Sequence, residues 1–288
     1  MALHLCEPLR AQEYLVLASG LSERPHSSLR VFDIASPSFR DLAFLEYFPT
    51  VEQLQLETGC ALDPALFRSL NPDLQALRVQ AGVHLSSVEQ LQSFPNLRTL
   101  QITGRLETYE GLSNLRSLDE VGLTNANDDA VEELGGFEAL SILNLVGRSV
   151  SSLKPLEGRT IGSLSVRESR RLTDLTSVTA IRGIAVRAVT GLTRLERLPD
   201  LSALTELRWL ELAWLSRLAD VTPIISSTSL RYLMLFNMDQ VKAQHLRETL
   251  DRSTVAVATL LHQAGGDGRS SPLPRMRDAG LPFESRFA

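Results

Sequence analysis

The side chains best suited to recognition chemistry gather late in the chain. Trp209, Glu211, Tyr232, Met234 and Phe236 fall at alternate positions of two apolar segments, and Trp214 follows just beyond the first. Both tryptophans of the chain are in this group. Aromatic clusters rimmed by charge concentrate binding energy, since Trp, Tyr and Arg dominate interface hot spots. The competing reading is that the end of the chain folds over these rings. Arg167 and Arg187 form a second feature: they sit at the same place in adjacent segments, with Arg105 and Arg148 two positions further along in their own. Stacked guanidinium groups suit bidentate recognition of carboxylates and predict an acidic partner protein. A solvated edge paired with residues such as Glu168 is the plainer alternative.

Catalytic and metal chemistry find no comparable support. His4, His26, His84, His245 and His262 are scattered without partners at ligand or triad spacing. Neither a Gly-rich phosphate loop nor a nucleophile elbow nor a zinc-protease motif occurs. Asn125, Asn127, Asp128 and Asp129 bring amide and acid groups together but lack the spacing and glycine of a calcium loop, and helix capping explains them better. The expectation is a non-catalytic protein with no cofactor and no metal.

The elements that position these residues are legible in a repeat. Segments of the form L-x-x-L-x-L begin at Leu29, Val51, Leu74, Leu97, Leu118, Leu140, Ile161, Ile181, Leu207 and Leu230, at intervals of 22, 23, 23, 21, 22, 21, 20, 26 and 23 residues. Such self-similarity is the signature of stacked repeat units. Within each unit, apolar residues at positions 4 and 6 alternate with others at 3, 5 and 7, the period-two pattern of a strand with one buried face. All units run in the same sense, so the strands must be parallel. Positions 3, 5 and 7 line one sheet face: Val31, Asp33, Gln53, Gln55, Glu57 and Arg78 early, small polar residues such as Thr99, Gly122, Asn144 and Ser165 in the middle, and the aromatic group at the end.

Return segments carry leucines three or four residues apart, which suits short helices or 3-10 turns. Ser36-Pro37, Asp63-Pro64 and Asn127-Asp128-Asp129 read as helix starts. Residues 1–28 are expected to cap the array, with Tyr14 to Leu17 as an edge strand. Residues 29–239 form the array of about ten repeats, 240–264 a second cap (a helix over Val241 to Leu250, a strand over Thr254 to Leu260), and 265–288 a flexible tail rich in Gly, Ser and Pro.

Composition sets the outer bounds. The chain has 288 residues, 43% hydrophobic, with a net charge of −5 and pI near 5.6, which provides no field to gather nucleic acid or an acidic membrane. No apolar run approaches the roughly 18 residues of a membrane span, and no signal peptide is apparent. Cys6 and Cys60 are the only cysteines. Their separation fits a reducing, cytoplasmic setting. Lys154 and Lys242 are the only lysines among 29 basic residues.

These repeats resemble the leucine-rich repeat superfamily, most nearly its short bacterial and internalin-like classes of about 22 residues, over residues 29 to 250. The family usually carries a buried Asn at position 9. Here that place holds Gly59, Gly82, Arg105, Ala126, Arg148, Ser169, Val189, Leu215 and Met238 in the second to tenth units, so the Asn ladder is absent. The resemblance implies an α/β right-handed solenoid with a concave parallel sheet and short convex helices. It implies a module that binds another protein on the concave face; the expectation is such a module in a bacterial cytosol, with an inhibitor or immunity-type protein as the version that the acidic balance allows. Its competitors are an effector delivered to host cells, hinted at by the lysine scarcity, and an enzyme with a site assembled from distant strands.

Overall fold

The computed structural model describes residues 2–24, 26–33, 42–58, 67–68, 70–80, 84–85 and 87–261. Twelve parallel strands form one sheet, in chain order apart from two short segments set aside. They are β1 (Ala2–Leu5), β2 (Ser28–Asp33), β3 (Gln53–Thr58), β4 (Ala76–Gln80), β6 (Thr99–Ile102), β8 (Glu120–Thr124), β9 (Ala139–Val146), β10 (Thr160–Arg167), β11 (Val186–Thr190), β12 (Trp209–Ala213), β13 (Tyr232–Phe236) and β14 (Val257–Leu261). The two segments set aside, β5 (His84–Leu85) and β7 (Arg105–Leu106), pair among the described residues with each other. At about 4.8 Å per strand the main sheet is roughly 50 Å long.

One ladder of apolar side chains runs beneath the sheet. Leu54, Leu77, Leu100, Val121, Leu143 and Leu164 are mutual neighbours in register, and all are buried. A second ladder through Leu56, Val79, Ile102, Leu123, Leu145 and Val166 runs beside it. The convex side closes this core with 3-10 turns such as Glu89–Ser93, Lys154–Leu156 and Thr222–Ser226, and, among the described residues, with one α-helix inside the array, α2 (Asp128–Leu134). The Asn127 side chain caps α2, accepting from the Ala130 amide at 3.0 Å, as the Asn-Asp-Asp start predicts. The two Pro-marked helix starts lie outside the described residues.

Two units sit three residues away from the register expected of them. In the first, Leu29 and Val31 pair with Leu54 and Leu56 and are fully buried. Val31 therefore faces the core and Phe32 faces outward, 39% exposed; Ile34 and the Asp33 side chain are outside the described residues. In the eighth, Arg187 and Val189 pair with Leu164 and Val166, so the unit starts at Ile184 and not Ile181. The corrected starts 161, 184 and 207 are evenly spaced, whereas a search for apolar residues avoids any register that puts arginine in a leucine place. Gly183, at φ 79°, adds the extra residue that carries the pairing from Thr160–Arg182 to Ser163–Val186.

After five of the strands the turn shares one backbone device, without an Asn ladder. Residues at position 8 take the left-handed conformation: Asn125 (φ 58°), Glu168 (61°), Gly191 (68°), Trp214 (51°) and Asn237 (49°). Several of them extend the ladder by donating to the next strand, Glu168 to the Thr190 carbonyl at 2.8 Å and Trp214 to the Phe236 carbonyl at 3.0 Å. Beyond them Ala126, Ser169, Leu215 and Met238 are buried at position 9; in the corrected eighth unit this place belongs to Leu192, not Val189. Ser169 alone among these does an amide's work, donating to the Val150 carbonyl at 2.5 Å and accepting from the Arg171 and Leu172 amides.

The N-terminal cap differs from the expected edge strand. Tyr14 to Leu17 lie in a helix, α1 (Ala11–Ser22), and β1 is the edge strand. Local β propensity over Tyr-Leu-Val-Leu is overridden. Glu13 receives the Arg10 amide at 2.7 Å, and Tyr14 is buried in stacks with Phe44 (5.1 Å) and Tyr47 (5.5 Å). At the other end α3 (Ala243–Asp251) precedes β14. β14 does not close the core as anticipated: Leu260, in the register place of buried Leu235, is 44% exposed. The segment 265–288 lies outside the described residues.

Candidate functional site

Because neighbours in register on parallel strands point to the same face, three strands build a small grid at the C-terminal end of the concave sheet. Its first row is Val186, Trp209 and Tyr232; its second is Ala188, Glu211 and Met234; its third is Thr190, Ala213 and Phe236. Glu211 is the grid's central residue and its only charge. The Trp209 and Tyr232 rings stack at 5.6 Å and 27° on one side of it. On the other side Trp214 and Phe236 meet edge to face at 4.5 Å.

This grouping matches the sequence expectation in place, but not in exposure. Trp209 is only 8% exposed, and Met234 is buried beside it. Large side chains in adjacent strands cover one another, a consequence of packing that a strand pattern does not show. The accessible apolar surface belongs to Trp214, at 44%, with half-buried Tyr232 and Phe236. Trp214 holds its ring out from a left-handed backbone position, where Gly191 and Asn237 stand in the flanking units. A bulky residue in that conformation is uncommon and marks a place to ask about function.

Glu211 is half-buried and makes no hydrogen bond to a described residue. Burial raises its carboxyl above the usual carboxylate range, and the charge of Arg167 offsets this only in part. Arg167 is exposed on β10, two strands away.

Arg187 is not on this face at all. The expected row of stacked arginines does not form: Arg187 is 1% exposed in the core, between Leu164 and Leu210. Neither of its terminal nitrogens has a hydrogen-bond partner among the described residues. Desolvation alone pushes the guanidinium down to about 10. Arg148 is exposed, and the Arg105 side chain is outside the described residues. The case for an acidic partner therefore loses the residue pair on which it stood.

A second constellation lies at the opposite end of the same face. Glu57 is buried on β3 and accepts from Arg30 on β2, with Nε and Nη2 both 2.7 Å from its Oε1. The same guanidinium lies 5.2 Å from the centroid of the Phe32 ring, and Gln55 also donates to the Glu57 carboxylate. The Glu57 hydrogen bond raises Arg30 above its already high range. Carboxylate, guanidinium and aromatic face here satisfy one another. The expected register hid this cluster by placing Phe32 inside; the polar run Gln53, Gln55, Glu57 was its one visible signal.

The acid and amide group near α2 is structural. Asp128 accepts from the Ser151 amide at 2.7 Å and its hydroxyl at 2.6 Å. Burial pushes its carboxyl up, but these hydrogen bonds outweigh that and hold it below the usual range. Among the described residues no group of three or more His, Cys, Asp or Glu is placed to hold a metal ion. Nor is any helix there long and apolar enough to cross a membrane.

A single parallel sheet over leucine ladders, rising one strand per 21 to 25 residues, is the architecture of a leucine-rich repeat solenoid. No family model and no curated protein matches the sequence. Among solved structures the fold is similar to an internalin (inlF) from Listeria monocytogenes, at 14% identity and TM-score 0.48 over 89% of this chain and 95% of that one. It is similar also to the Leptospira interrogans protein LIC12759, at 13% identity and TM-score 0.41 over 88% of each chain. A chain of the yeast Rad7 and Elc1 complex matches at 16% identity and TM-score 0.37 over 82% of this chain and 86% of that one.

Proposed function

We propose that this protein is a non-catalytic module that binds a partner protein on the C-terminal part of its concave face. The observation that carries this reading is the exposed Trp214 ring, held out from a left-handed turn beside Phe236 at the end of the strand that carries Glu211, a half-buried carboxylate with no hydrogen bond among the described residues. Exposed aromatics with a desolvated charge at the centre are what interface hot spots are made of, and a sheet of roughly 50 Å exceeds the reach of a standard interface. Within this reading the protein acts as an inhibitor or immunity-type binder in a bacterial cytosol; the free, exposed Cys6 fits a reducing compartment.

The test is affinity capture from lysate of the source organism with the wild type and a folded Trp214→Asn, Phe236→Ala variant, read by mass spectrometry. A protein held only by the wild type supports the module and its site. If that protein is a toxin or enzyme that the module silences, the inhibitor assignment stands; if it is captured only from host-cell lysate, the effector reading replaces it. Equal capture by both forms removes the C-terminal grid as the site.

A further inference from the structure

The two ends of the concave face carry the same chemistry in two states. At the N-terminal end a carboxylate, Glu57, and a ring, Phe32, are joined by the Arg30 guanidinium, which bonds the one at 2.7 Å and covers the other. At the C-terminal end the carboxylate of Glu211 and the rings of Tyr232, Trp214 and Phe236 stand without such a cation among the described residues. The register makes the comparison concrete. Arg30 pairs with Gln55, two residues before Glu57; the place related to Glu211 in the same way is Val186, which pairs with Trp209. Where an arginine closes the first cluster, a valine leaves the second open.

A half-buried carboxylate in an apolar grid costs stability unless something pairs with it. Arg167, two strands off and exposed, makes no ion pair with it among the described residues. A cation on an incoming chain supplies the missing pair and gains the aromatic faces as well, an attraction that grows as the site is desolvated. We infer that the C-terminal grid is a receptor for a basic side chain, arginine before lysine, presented by the partner protein. Glu211 takes the charge, and Tyr232, Phe236 and Trp214 take the faces of its planar head. This rests on the binding-module reading above and gives its partner a chemistry opposite to the acidic one suggested by the row of arginines.

The experiment is a titration of the full chain with blocked tripeptides bearing a central arginine, lysine or glutamate, followed by NMR of the two tryptophan indole N–H groups. Both reporters, Trp209 and Trp214, belong to the site. Expected is a saturable shift with the arginine peptide, a weaker one with lysine and none with glutamate. Glu211→Gln should weaken arginine binding by at least about tenfold. Val186→Arg should place a guanidinium in the position that Arg30 holds toward Glu57, and block the peptide while the protein stays folded. Equal response to the glutamate peptide, undiminished binding in Glu211→Gln, or no saturable shift up to about 10 mM arginine peptide overturns the inference. A partner captured through Trp214 and Phe236 alongside any of those results leaves the binding module standing and removes only its cation.

Discussion

Leu164 and Arg187 are direct partners across the β10–β11 ladder, so a guanidinium occupies a place that holds Leu or Val in the repeats on either side. Both of its terminal nitrogens are buried without hydrogen-bond partners among the described residues.

Replacing Arg187 by Leu should therefore stabilise the protein. Desolvation lowers the guanidinium to about 10, so the cationic form is penalised in the folded state by about 3 kcal/mol. The penalty is fully present at every pH below about 10 and fades only above it. Thermal melts of Arg187→Leu at neutral pH should rise by several degrees, and an unchanged or lower midpoint contradicts this account of the core.

Glu211 carries a penalty of the same kind with a different pH window. Its carboxyl is raised, chiefly by burial, so folding favours the protonated form. That favourable term is complete below the unfolded carboxyl range, near pH 4, and is lost as pH rises through the folded value. Urea denaturation should find Glu211→Gln more stable than wild type at pH 7, with the gap closing toward about pH 4. A gap that widens on acidification is the opposite of what burial dictates.

Gly147 is a steric prediction. A Cβ built there meets the Ala126 carbonyl oxygen at 2.0 Å and two further backbone atoms of that residue within 3 Å. Backbone cannot yield as a side chain tip can, so Gly147→Ala should cost about 2 kcal/mol or more. Chemical denaturation reads this directly; a neutral substitution means that the turns of neighbouring units are further apart than described.

Leu143 tests the leucine ladder itself. It is fully buried between Val121 and Leu164, so Leu143→Asp puts an unpaired carboxylate into the stack at a cost of several kcal/mol. Loss of the cooperative melt is expected, and a curve that barely moves rejects the register of the central strands.

Much of this molecule was legible without coordinates. Parallel strands, the apolar ladders of most units, the Asn127 cap and the residues that β12 and β13 bring to the C-terminal grid follow from a short repeat and a period of two, both properties of neighbouring residues in the chain; the β11 column does not, because the expected register put Val186 in the core. Tertiary structure alone decided the rest. Tyr14 joins a helix because Phe44 and Tyr47 stack on its ring, and Arg187 is buried because the pairing of its strand with β10 and β12 overrides its polarity. Trp209 is covered by neighbours a whole repeat away. Arg30 and Glu57, 27 residues apart, bond because one strand lies beside the next. The repeat determines which face a residue is offered to; contact between repeats determines whether water, a partner or another side chain can still reach it.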